Sequence, residues 1–303
     1  VEESDELTRR LAAMRAKDYG GAKEIIRLSL IQMGSKENDR DANVDKALKY
    51  IEKAVESKPS IVVLPEFFNT EYFCCNRDIK YFDYAEKEDG PTIIKVSEAA
   101  RKHKVHIVAT IYEYAGPGVY FDTAMVINPS GEIIGKYRKV HPPAVRSLEK
   151  IYYKGGSRFP IFDILGWKVG IVICYDNLFP ESARCVSVKG AELVLAPFAT
   201  PHIPFWDSIV VTRAVENGVY YAACNKVGRE IAGDWVNFGR STIVAPTGEI
   251  LAQAGEEKDE IISAEINKAV VTGFRNAFPI YRDRRPEAYG PLCQSEEDAR
   301  DLS

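Results

Sequence analysis

No two of the six cysteines, at 74, 75, 174, 185, 224 and 293, form a CxxC pair, and histidine occurs only four times, at 103, 106, 141 and 202. Without clustered Cys and His spacing a zinc site is not expected. In a chain of 303 residues such scattered thiols read as reduced cysteines of a cytoplasmic enzyme, not as a disulfide framework. No apolar run approaches the roughly 20 residues that span a bilayer, so no membrane partner is expected. Positive charge is not in excess: Lys and Arg number 40 against 44 Asp and Glu, a net charge of −4. This lacks the basic footprint of a nucleic-acid binder. The opening VEESDELTRRLAAMRAKD has no apolar signal core, so no secretion leader is expected, and a start at Val1 suggests a trimmed or processed chain.

What is present is an ordinary globular composition, 46% hydrophobic and 28% charged, which has enough apolar content for one large core. Residues 1–22 read as a charged helical extension ending at Gly20-Gly21, and 23–303 as a single domain. IIRLSLIQM (25–33), SIVVL (60–64) and VHIVATIYEY (105–114) read as strands. Between them, Val44, Ala47, Leu48, Ile51, Ala54 and Val55 mark one helix face, and PTIIKVSEAARKHK (91–104) reads as a helix opening on Pro91. Alternating strand and helix predicts an α/β layer architecture. TAMVINPSGEIIG (123–135) is echoed by STIVAPTGEILA (241–252), and IVVLPEF (61–67) by LVLAPF (193–198), so the domain reads as two related halves.

Cys174 closes WKVGIVIC (167–174), an apolar, β-branched run that reads as a buried strand. Strand ends are where active sites gather in open α/β sheets, and a following helix N-terminus would favour the thiolate. The competing reading is a small apolar residue ending a strand. Glu66, after IVVLP, is a carboxylate at another buried strand end and must be paired or used. Lys139 lies in GEIIGKYRKVH, where Lys136 and Arg138 are expected to point into water, and Glu149 lies in the loop-like SLEKIYY.

LPEFF around Glu66, GKYRKVH around Lys139 and GIVICYDNLFPESAR around Cys174 resemble, in that order, the nitrilase or carbon–nitrogen hydrolase superfamily. The resemblance covers roughly residues 25–290. It implies a four-layer α-β-β-α sandwich, a Glu66-Lys139-Cys174 triad, Glu149 as a second glutamate, and a homodimer or higher homo-oligomer built through helices. The residues suit that chemistry. A thiolate attacks an amide-like carbon and leaves a thioester, Glu66 moves the proton, and Lys139 with the Tyr175 N–H stabilises the oxyanion. All groups come from the chain, so no metal or organic cofactor is expected. Two other classes use the same residues: a Cys-His hydrolase with His141 or His202 as base, and a catalytically idle binding scaffold.

NAFPIYRDRRPEAYGPL (276–292) and LEKIYYKGGSRFPIFD (148–163) resemble N-carbamoyl amidohydrolases, including N-carbamoylputrescine amidases. CYDNLFPE departs from them. Asn177 and Leu178 stand where enzymes for N-carbamoyl-D-amino acids carry an arginine for the substrate carboxylate, which leaves Arg146, Arg213 or Arg229 for that part. The same stretch replaces the Trp-Asp-Gln-Trp of the carbamoylputrescine type. Phe67, Phe68, Tyr72, His202, Phe205 and Trp206 are candidate pocket walls, and Tyr175, Asn177, His141 and Thr200 complete the candidate substrate-binding set. The expected substrate is a small linear amide or ureido compound, ahead of nitriles, with an aliphatic amidase, omega-amidase or nitrilase activity as the alternative.

Overall fold

The computed structural model describes residues 24–230, 235–295 and 298; the helical extension expected over 1–22 lies outside them. The first sheet begins with β1 (Ile25–Gln32), β2 (Ile61–Val63), β3 (His106–Gly116), β4 (Val119–Ile127) and β5 (Ile133–Arg138). The second contains β6 (Ile161–Ile164), β7 (Trp167–Ile171), β8 (Leu193–Phe198) and β9 (Tyr220–Asn225). After a small ribbon of β10 (Val227–Arg229) and β11 (Val236–Phe238), β12 (Thr242–Val244) and β13 (Ile250–Gln253) complete the second sheet. β14 (Glu260–Asn267) returns to the edge of the first.

The two sheets repeat one plan. Their orders are β14-β1-β2-β3-β4-β5 and β6-β7-β8-β9-β12-β13. Each has three parallel strands flanked by antiparallel ones: β1, β2 and β3 in the first, β7, β8 and β9 in the second. The echoed Pro-Ser/Thr-Gly segments are the matching hairpins β4–β5 and β12–β13.

Helices cover the outer faces. α1 (Arg40–Ala54) starts where Asp39 accepts a bond from the Ala42 N–H, and α2 (Pro91–His103) starts on a proline that lacks the unneeded N–H. Val44, Ala47 and Ile51 of α1, with Ile93 and Val96 of α2, pack on Ile31, Val62 and Ile107. Past the short α3 (Glu149–Tyr152), α4 (Pro180–Val188) and α5 (Trp206–Asn217) cover the second sheet through Ala183, Val186, Val210 and Ala214 on Val172, Val194 and Tyr221. Between the sheets lie the alternate residues of the same strands, among them Leu28, Leu30, Val63, Val108, Ile171, Leu195 and Ala222. Both faces of the central strands are therefore apolar, which is why they read as continuous runs. Each fully buried side chain of this size contributes about 1.5–3 kcal/mol. The result is a four-layer α-β-β-α sandwich. Among the described residues, no helix is long and apolar enough to cross a membrane.

Lys136 and Arg138 do not simply point into water. Both reach across the first sheet to buried Glu113 on β3, Lys136 at 2.7 Å and Arg138 through two bonds of 2.8 Å, and Lys136 also pairs with Glu88. The register that brings β5 beside β4 and β4 beside β3 creates these pairs.

Candidate active site

Glu66 and Cys174 each follow the C-terminal end of a parallel strand, β2 and β7, so the packed sheets bring two strand ends together. Lys139 is the first residue beyond β5, where its N–H donates to the Asp122 carbonyl on β4 at 2.9 Å. Glu149 opens α3. The side chains of Glu66, Asp122, Lys139 and Glu149 are fully buried. Lys139 Nζ lies 2.7 Å from Glu66 Oε1, 2.7 Å from Glu149 Oε2 and 3.5 Å from Asp122 Oδ2.

Burial alone would lower the Lys139 pKa, but the surrounding charges, Glu149 and Glu66 foremost, outweigh it and hold the ammonium firmly protonated. Burial pushes Glu149 up, with Lys139 opposing. Oxygens of Glu66, Asp122 and Glu149 converge closely enough to ligate a cation. The Lys139 ammonium already faces all three, and a metal ion would have to displace it.

Cys174 sits at φ 44°, in the left-handed region, a conformation that costs about 1–3 kcal/mol for a residue with a side chain. The surroundings hold it there. Asp176 accepts bonds from the Ile173 N–H at 3.0 Å, the Tyr137 hydroxyl at 2.5 Å and the His141 N–H at 2.9 Å. Asn177 Nδ2 donates to the Cys174 carbonyl at 2.8 Å, Arg213 donates to the Asn177 carbonyl, and the Tyr221 hydroxyl bonds Asn177 Oδ1.

The helix N-terminus expected to favour the thiolate is opposed by the surroundings of Cys174. Burial, then the Glu66 charge, push the Cys174 thiol well above its ordinary range, and Lys139 opposes them only in part. α4 begins at Pro180, beyond a 3-10 turn over Cys174–Leu178. The helix end is too far along the chain for its dipole to govern the thiol. A base must therefore remove the proton.

His141 does not line the pocket that Cys174 lines. Its Nδ1 lies 2.8 Å from Asp176 Oδ1, and its ring stacks on Phe179 at 3.9 Å. His202 is exposed and packs edge-on against Phe238.

Cys174 opens into a pocket of about 340 Å³, whose lining includes Tyr72, Tyr175, Asn177, Thr200, Phe205 and Trp206 from the expected set. The rest is mostly apolar, with Leu178, Phe198, Ile203, Ile209 and Trp235 contributing. Phe67, His141 and His202 do not line it. Phe67 has φ 49° and is buried with Phe73 and Tyr153, while Phe68 belongs to the core under α1 and α2. Of the three arginines, only Arg146 lines the pocket; Arg213 is held by Asn177 and Glu216, and Arg229 lies on β10.

Sequence reasoning missed Asp122, Asp176 and Trp235. A carboxylate inside the apolar run VYFDTAMVI was the available signal for Asp122, because a charge there has no cheap alternative to a partner. Trp235 stacks on Tyr72 with centroids 4.4 Å apart, and nothing local in the sequence announces that contact.

The profile of the carbon–nitrogen hydrolase family matches residues 27–276. A Pyrococcus abyssi protein named nitrilase is 36% identical over 88% of this chain and 99% of its own. The Xenopus laevis omega-amidase NIT2-B is 34% identical over 87% and 96%, and the Francisella tularensis citrullinase 34% over 89% and 98%. The crystal structure of a carbon–nitrogen hydrolase from Helicobacter pylori G27 superposes with a TM-score of 0.84 at 30% identity, covering 89% of this chain and 99% of that one. A mutant amidase from Nesterenkonia sp. AN1 superposes with a TM-score of 0.74 at 25% identity, over 91% and 98%. It carries the acetamide moiety of fluoroacetamide covalently added at its active-site cysteine.

Proposed function

We propose a reaction from one premise: the chain belongs to the carbon–nitrogen hydrolase family. Within that family it acts as a cysteine-dependent amidohydrolase of small linear amides or ureido compounds, through a thioester. The observation that carries this reading is the buried Lys139 ammonium bridging Glu66 and Glu149 at 2.7 Å each, with the Cys174 thiol lining a mostly apolar pocket.

Glu66 takes the Cys174 proton as Sγ attacks the carbonyl carbon. The oxyanion forms against Lys139 Nζ and the Tyr175 N–H, donors worth about 3–4 kcal/mol each in such sites. Glu66 returns the proton to the nitrogen that leaves as ammonia or an amine. Water, deprotonated by Glu66, then attacks the thioester, and the acid departs as Sγ regains its proton. Glu149, fixed by Lys139 and by the Tyr72 hydroxyl, accepts a bond from the substrate NH₂. A nitrile has no N–H for that carboxylate and leaves it less well satisfied.

The relatives named omega-amidase and citrullinase support amide and ureido substrates, since citrulline is itself a ureido compound. Among the described lining residues Arg146 is the only charged side chain, which favours a neutral or anionic tail over an ammonium. A matched series of amide, ureido and nitrile compounds, each with carboxylate and ammonium tails, tests the reading by ammonia release. Amide or ureido members with neutral or anionic tails should have the highest kcat/KM. Fastest turnover of the nitrile would overturn the substrate assignment.

A further inference from the structure

We propose that Asp122 carries a proton at neutral pH and donates it to Glu66, so that the two carboxyls hold one proton between them and Asp122 is a positioning residue for the base. The inference rests on Glu66 as the base, but its test does not need turnover.

Three carboxylate oxygens of the cluster have no donor. Glu66 Oε2, Asp122 Oδ1 and Asp122 Oδ2 are all buried, and none has a hydrogen-bond partner. Buried acceptors left this way are costly, the more so when charged. Lys139 cannot supply the missing bonds. Its two short contacts go to Glu66 Oε1 and Glu149 Oε2, and its 3.5 Å approach to Asp122 Oδ2 is longer than an N–H···O bond. Two ionised carboxylates cannot bond each other, because both only accept. Oxygens of Asp122 and Glu66 lie within 4.8 Å of each other, and a single proton between the two carboxyls gives them the hydrogen bond that two carboxylates cannot make.

Charge leads to the same assignment. With Glu66, Asp122 and Glu149 ionised and only Lys139 positive, the dry cluster would carry two uncompensated negative charges beside a nucleophile that must itself become negative. The shared proton removes one of them. The groups facing Asp122 are Glu66 past β2, Tyr137 and Lys139 on and after β5, Glu149 and Tyr153 of the α3 segment, and Cys74. Lys139 is the only cation among these groups. Burial, then the Glu66 charge, push the Asp122 carboxyl well above the ordinary carboxylate range. A neutral Asp122 keeps Glu66 ionised and aimed, with lone pairs free for the thiol proton. Proton transfer from Cys174 to Glu66 then leaves the cluster's net charge unchanged.

Infrared difference spectroscopy on the full chain with isotope-labelled aspartate tests this directly. At neutral pH the wild type should show a carboxylic-acid C=O stretch that moves with the label and vanishes in Asp122→Asn. Absence of a label-sensitive acid band in the wild type would overturn the proposal, and that arm needs no variant to fold. In a second arm, alkylation of Cys174 by chloroacetamide is followed against pH by peptide mass spectrometry. Asp122→Asn replaces one neutral donor by another, so the midpoint for Cys174 should stay where it is in the wild type, whereas removal of an ionised carboxylate would lower it by about one pH unit, the size of a nearby like charge. A midpoint about one pH unit lower in Asp122→Asn would contradict the proposal. If no amide is hydrolysed while the acid band is present, the substrate reading fails and the shared proton stands.

Discussion

The Tyr72 hydroxyl donates to Glu149 Oε1 across 2.5 Å while its ring stacks on Trp235, so one side chain joins the buried cluster to the wall of the pocket. Burial, then the charge on Glu149, push the phenol pKa well above its usual value, so it remains a donor. Tyr72→Phe keeps the ring and removes the bond to a charged acceptor, worth about 1.5–3 kcal/mol. The variant should fold normally and lose about 10- to 100-fold in kcat/KM. Full activity in Tyr72→Phe would show that Glu149 needs no support from this side.

Lys139 and Lys136 should separate sharply. Lys139→Ala leaves Glu66 and Glu149 without their shared cation, and breaking a buried pair costs about 3–5 kcal/mol of stability. It should also slow acylation by about 10²–10³-fold through loss of an oxyanion donor. Lys136→Ala removes one of two cations from Glu113 while Arg138 remains, so its stability cost should stay within about 1 kcal/mol with little change in rate. Thermal melts with rates on a common amide decide this, and equal losses from the two variants would contradict the assignment.

His141→Ala tests the Cys-His alternative. With Glu66 as the base, His141→Ala removes the ring bond to Asp176 while the backbone N–H bond remains, and losing that one bond, about 1 kcal/mol, should cost roughly fivefold in kcat. A loss of 10³-fold or more, as for a removed general base, would move the base from Glu66 to His141.

Glu113 predicts an acid limit to stability. Burial by itself would raise its pKa, but hydrogen bonds from Arg138, Lys136 and Thr123 outweigh that and bring it from 4.5 to about 2. A depressed carboxylate stabilises the fold fully above its unfolded pKa and loses that contribution as pH falls through the folded value. Wild type should therefore exceed Glu113→Gln in stability above about pH 4.5, with the gap closing towards pH 2. Denaturant melts across that range check it, and a gap that widened on acidification would be the wrong sign.

Much of this was legible before the structure, and the reasons are physical. Strands such as β2 and β7 are buried on both faces, so their apolar runs stand out, and the residues just beyond them, Glu66 and Cys174, could be placed at strand ends. The Lys136 and Arg138 pairs were not legible, because Glu113 reaches them only through the register of three strands. The upward push on the Cys174 thiol was not legible, because it comes from burial and from the Glu66 charge, which only packing reveals. Phe67 and His202 lie as close in sequence to strand ends as Tyr72 does, but backbone direction decides who faces the pocket. A left-handed Phe67 places its ring in the aromatic cluster.

The most direct test of the account is the mass of the enzyme caught during turnover. Rapid quenching with a slowly hydrolysed amide should reveal an adduct equal to the acyl group, located on the peptide containing Cys174 and released by hydroxylamine. Cys174→Ala should fold, show no adduct and have no turnover. Turnover without an adduct on Cys174, or a folded Cys174→Ala variant near wild-type activity, would contradict the thioester mechanism.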